Sequence, residues 1–172
     1  RAQGRHPEQT SDALGAAAVQ LGPRAQGLAA EMKHAYGVPY RKTAAVLERG
    51  MGLKAAPSAL ARAGPRLADQ AGPTYQQLIL AVRDSAVVYG DETGWKLGGD
   101  NAWLWVFTTD AVTVYTIERR RSHQVAERIL GSDFAGVLEC DCFLAYDPLP
   151  YRQQKCLGHL QRRCRAIQEE PR

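Results

Sequence analysis

Ala86-Val87-Val88-Tyr89-Gly90-Asp91-Glu92, taken together with Val137-Leu138-Glu139-Cys140-Asp141, decides the fold of this chain. Each begins as a short apolar run rich in β-formers and each reaches an aspartate. Between them, Gly98-Gly99-Asp100-Asn101 reads as a turn, followed by Trp103-Leu104-Trp105-Val106-Phe107-Thr108-Thr109. Its alternation of aromatic and β-branched residues predicts a strand buried on at least one face. That makes Trp103, Trp105 and Phe107 core residues rather than platforms for bases. Asp110-Ala111 turns the chain into Val112–Ile117, and the three runs with tight connections form an antiparallel meander.

Ser122 is placed to cap a helix whose Val125, Ala126, Ile129 and Leu130 form one stripe, and Gly131 stops it. The run from Val137 to Cys140 is then a fourth strand. A strand reached through a helix normally returns parallel to one already in the sheet. If it lies beside the first strand, both C-terminal ends open on the same edge, and Asp91 and Asp141 sit side by side. Beyond it, Arg152–Gln168 reads as a helix with Cys156, His159, Leu160, Cys164 and Ile167 on one face.

Upstream, residues 21–84 are helical in pattern. Leu28, Met32 and Tyr36 share a helical face before Gly37, and Tyr40, Ala44 and Leu47 share another between Pro39 and Gly50. Pro57 opens a third helix that Gly64-Pro65 is expected to break, and a fourth runs from about Tyr75 with Leu78, Ile79 and Val82 inward. Short helices joined through glycine fit a helix-turn-helix or a plain bundle equally. Residues 1–20 show no apolar period and read as a poorly ordered lead-in. The chain opens on Arg1 rather than Met, which points to a fragment.

Within these 172 residues no apolar run approaches the length of a bilayer-spanning helix, and no secretion signal opens the chain. Four cysteines then read as reduced thiols of a cytoplasmic protein. Residues 1–85 carry 11 Lys and Arg against 6 Asp and Glu, whereas residues 86–172 carry 11 against 12. A basic front half suits contact with a polyanion, although ordinary charge scatter accounts for it as well.

Adjacent carboxylates repel unless a proton or cation lies between them. Hard oxygen ligands favour Mg2+ or Mn2+. A pair of such ions about 3.5–4 Å apart can activate a water or a 3′-hydroxyl and stabilise the leaving oxygen of a phosphodiester. Glu92 should face away from that site, because successive strand side chains alternate. Cys140, Cys142, Cys156 and His159 offer a rival zinc set, though Cys-x-Cys with a distant Cys-x2-His is not a common finger spacing.

Several linked words extend this reading. Asp91-Glu92-Thr93-Gly94-Trp95, Trp103–Thr108, Asp133–Leu138, Asp141 with Ala145-Tyr146, and Cys156-Leu157-Gly158-His159-Leu160-Gln161-Arg162 stand in order and at matching spacing. With Leu21-Gly22-Pro23, Tyr40-Arg41-Lys42 and Gly50-Met51-Gly52-Leu53 upstream, residues 21–168 resemble the insertion-sequence "sixty-six" family of bacterial transposases. The resemblance implies a DDE transposase with a ribonuclease H-like α/β core, a mixed sheet over residues 85–172 preceded by a small all-helical region. It implies Mg2+ (or Mn2+) as cofactor, and DNA at element ends and target as partner, with self-association. Asp91 matches the first catalytic, metal-binding acid and Asp141 the second. Cys156 and His159 match the family's Cys-x2-His element. The third acid would lie on a helix beyond Arg172, so the core is expected to be partial, and Cys142 stands where the family usually has glycine. The chain alone is therefore expected to bind DNA rather than cut it. Its alternative reading is an inactive DNA-binding or assembly remnant that holds phosphates through the basic front half and Arg119-Arg120-Arg121.

Overall fold

The computed structural model describes residues 21–169, so the lead-in over residues 1–20 lies outside the described residues. The chain divides into two compact units, Arg1–Ala71 and Gly72–Arg172. In the first, α1 (Pro23–His34) and α2 (Tyr40–Met51) are followed by the start of α3 (Pro57–Arg83). Ala29, Ala44, Leu47 and Leu60 form its buried centre. Gly52 ends α2 in the left-handed conformation, its N–H donating to Glu48 O, which an L side chain would resist. Tyr36 lies past the end of α1 and is exposed, so that helical face stops short of it.

The break expected at Gly64-Pro65 is absent: α3 is one helix of 27 residues that also passes through Gly72-Pro73. A proline ring disfavours the helical conformation of its predecessor mainly through that residue's Cβ and N–H. Here both predecessors are glycines, which removes the Cβ clash, and the turns on either side propagate cooperatively.

In the second unit the last turns of α3 place Ile79 and Val82 in the core, whereas Leu78 is exposed. The sheet contains β1 (Val87–Leu97), β2 (Asp100–Thr108), β3 (Thr113–Glu118), β4 (Val137–Cys140) and β5 (Arg152–Lys155) in the order β3-β2-β1-β4-β5. The first three strands pair antiparallel, while β4 joins β1 in parallel and β5 joins β4 in parallel. This is the ribonuclease H-like arrangement of a mixed sheet. Between β3 and β4 runs α4 (His123–Leu130), whose buried Val125, Ala126, Ile129 and Leu130 belong to the same core cluster as Val88, Trp105, Phe107 and Leu138 of the sheet. Ser122 Oγ accepts the Gln124 N–H at 3.3 Å, the cap expected from its place before the stripe.

Two elements differ from the sequence reading. First, β1 does not end at Asp91 but continues to Leu97, because Gly98 and Gly99 adopt positive φ (63° and 97°) and close a tight hairpin onto Asp100. Second, residues 152–155 form the edge strand β5, and helix α5 begins only at Leu157. Arg-Gln-Gln-Lys has little strand preference of its own. Its backbone instead meets the open edge of β4, while the adjacent Tyr151 packs edge-on against Phe134 and donates to Gly131 O at 2.7 Å. Tertiary pairing overrides local preference here, and the charged residues suit an edge. None of the described residues of α5 is buried, so the apolar face expected of Leu160, Cys164 and Ile167 is unpacked. Among the described residues, no helix is long and apolar enough to cross a membrane.

Gly136 sits where β4 begins. A Cβ there would lie 2.6 Å from Ser85 O and 2.6 Å from Phe134 Cζ. Gly136→Ala should therefore cost about 1–3 kcal/mol through overpacking. A thermal melt checks this; an unchanged midpoint would contradict the close approach.

Candidate metal-binding rim of the sheet

Burial along β1 alternates, with Val88, Gly90 and Glu92 on the core side and Val87, Tyr89 and Asp91 on the other. The parallel ladder sets Val87 opposite Val137, Val88 opposite Leu138 and Tyr89 opposite Glu139. Continued by two residues beyond its last pair, that register would bring Asp91 level with Asp141, which follows the end of β4 at Cys140. Neighbouring strands are about 4.8 Å apart, a separation that one divalent cation or a close pair can bridge. Asp141 lies just beyond β4, where its Oδ1 accepts the Phe143 N–H at 2.8 Å and so shapes the turn after the strand. Asp91 Oδ1 accepts the N–H of Glu92 at 2.9 Å. Asp91 is exposed and Asp141 half-buried.

Glu92 occupies the core side, as alternation requires, and its role there went unread in the sequence. Its Oε1 accepts from Arg121, with Nε at 2.8 Å and Nη2 at 2.7 Å, and its Oε2 accepts the phenol O–H of Tyr146. Burial pushes the Tyr146 phenol well up, and the bond to Glu92 adds to the effect. An acid in the middle of a strand, an arginine and a tyrosine scattered over 54 positions carry no spacing signal that could have joined them.

The arginine run splits by role. Arg119 pairs with Asp100 at 3.0 Å in solvent, whereas Arg121 lies over the rings of Trp103 and Phe143, its guanidinium carbon 4.6 and 3.5 Å from their centroids. An open cleft of about 570 Å³ is lined by Arg121, Asp141, Phe143, His159, Arg162 and Arg163, among others. Asp91 does not line it.

Cys156 and His159 do not share a helix as a packed pair: Cys156 precedes α5, its carbonyl accepting the Leu160 N–H, and His159 reaches the cleft. Cys140 is buried on the core side with its thiol beside Gln153 and Lys155, and burial pushes that thiol up to about 11. Of the rival set, Cys142 and His159 line the cleft, whereas Cys140 is buried on the core side. Among the described residues, no three His, Cys, Asp or Glu side chains gather as a ligand group.

A mixed sheet in the order β3-β2-β1-β4-β5 is the ribonuclease H-like arrangement. A family model described as the transposase IS66 family matches residues 18–172, and the chain belongs to that family. No curated protein matches the chain significantly. Among solved structures, a chain of the simian T-cell lymphotropic virus intasome in complex with PP2A regulatory subunit B56 gamma, determined by cryo-electron microscopy, is 18% identical with a TM-score of 0.33. That likeness covers 45% of this chain and 36% of the intasome chain.

Proposed function

We propose that the second unit supplies two acids of a metal-dependent DNA-cleaving and strand-transferring site, Asp91 and Asp141, and that DNA is its substrate. The observation that supports this reading is the parallel β1–β4 register, whose constant offset of 50 residues would, if continued past its last pair, bring both carboxylates to one rim. Two carboxylates are the hard-oxygen donors that Mg2+ or Mn2+ prefers, and water and phosphate oxygens can complete the shell. When bound, such ions polarise a phosphodiester and lower the pKa of an attacking water or 3′-hydroxyl.

The chain's own contribution is position. Asp91 projects from a strand paired on both sides, and the Phe143 N–H steadies Asp141. Arg162 and Arg163 beside Asp141 give the cleft a positive rim for a DNA backbone. Self-association would bring two such sites to paired element ends.

Titrating Mn2+ into the chain by calorimetry tests this reading. Asp91→Asn and Asp141→Asn should each weaken binding by tenfold or more, which is at least about 1.4 kcal/mol. Equal affinity in all three proteins would remove both residues from the site. Duplex binding with no metal dependence would favour the non-catalytic remnant.

A further inference from the structure

Directly behind Asp91, on the core side of β1, lies a charged pair that the proposed metal site does not use. The Glu92 side chain is 0% exposed, and both its oxygens are occupied, one by Arg121 and the other by Tyr146. Arg121 is clamped in turn between Trp103 and Phe143. Phe143 also donates its N–H to Asp141, so contacts run without a gap from Glu92 through Arg121 and Phe143 to Asp141. The guanidinium spends Nε and Nη2 on Glu92, leaving Nη1 without a hydrogen bond among the described residues. The side chain is 30% exposed and lines the same cleft as Asp141.

We propose that Arg121 is a phosphate-contacting residue of this site, and that Glu92 and Tyr146 are its positioning residues. The inference rests on reading Asp141 as a site acid. A guanidinium already fixed between two rings and a carboxylate loses little further freedom on meeting a phosphate. Its planar fork offers donors in a set direction, which a lysine cannot reproduce. Because Glu92 compensates its charge, Arg121 adds direction more than attraction. The attraction comes from Arg162 and Arg163 across the cleft.

That division of labour gives opposite signatures in duplex binding measured against salt. Arg121→Lys keeps a cation for Glu92 but removes the outward donors. It should lower affinity for a short DNA duplex by about tenfold at fixed salt, the loss of one charge-assisted contact, measured on a variant whose circular dichroism shows it folded. Glu92→Gln leaves Arg121 uncompensated, so one more phosphate is neutralised by a full charge. The slope of log affinity against log salt should then steepen by about 0.9. A purely structural arginine would move neither quantity in a folded variant. If both variants fold and bind as the unsubstituted chain does, the proposal is overturned. Failure of the unsubstituted chain to bind duplex would overturn the DNA reading and this inference together. Normal duplex binding with Mn2+ affinity indifferent to Asp91 and Asp141 would instead remove the metal site on which the inference rests.

Discussion

Arg121→Ala is expected to be among the most destabilising single changes in the second unit, costing about 3–5 kcal/mol, as stripping one partner from a buried ion pair generally does. The lost contacts alone would not reach that figure. What remains behind decides it: Glu92 has no access to water, and only the Tyr146 hydroxyl would still face its carboxylate. The converse change is milder. Glu92→Gln keeps the shape and an oxygen that can accept from Arg121 or Tyr146, and Arg121 has a partial path to solvent, so about 1–2 kcal/mol is the expected cost. Urea unfolding of the two variants measures the asymmetry. Equal midpoints would mean that Glu92 is not held as an uncompensated anion in Arg121→Ala, and the account of the buried pair would fail.

The contrast with Asp91 shows which parts of the site could be read in advance. Asp91 lies within β1 and Asp141 just past β4, both in stretches recognisable as strands, and the helix between the third and fourth strands leads to the parallel return that is observed; local pattern plus one topological rule suffices to read that pairing. Glu92 needs more. Alternation alone places it opposite Asp91, but its partners come from the β3–α4 connection and from the one-turn 3-10 helix Leu144–Tyr146, which no periodicity links to it. The misread elements have the same origin. Residues 152–155 are polar and become a strand only because β4 offers an unpaired edge, and Pro65 is tolerated in α3 because Gly64 has no Cβ to clash with it. What was legible depended on neighbours in sequence, and what was not depended on neighbours in space.

Trp105→Ala is expected to cost about 3–5 kcal/mol, the usual range for deleting a buried tryptophan. Trp105 is fully buried, stacked 6.3 Å from Phe107 and edge-on 6.0 Å from Tyr146. It also stands opposite Glu92 in the β1–β2 register, so its loss would open space beside the residue that anchors Arg121. The indole N–H, however, finds no acceptor in its buried place among the described residues. Trp105→Phe removes that unpaired donor while keeping a ring, and the relief of an unsatisfied polar group offsets part of the lost apolar area. The phenylalanine variant should therefore lose only about 1 kcal/mol, well short of the range for alanine. Chemical denaturation of both variants compares them directly. A phenylalanine variant as unstable as the alanine one would show that the indole nitrogen is satisfied after all, for instance by a buried water, and that Trp105 carries polar as well as apolar weight in the core.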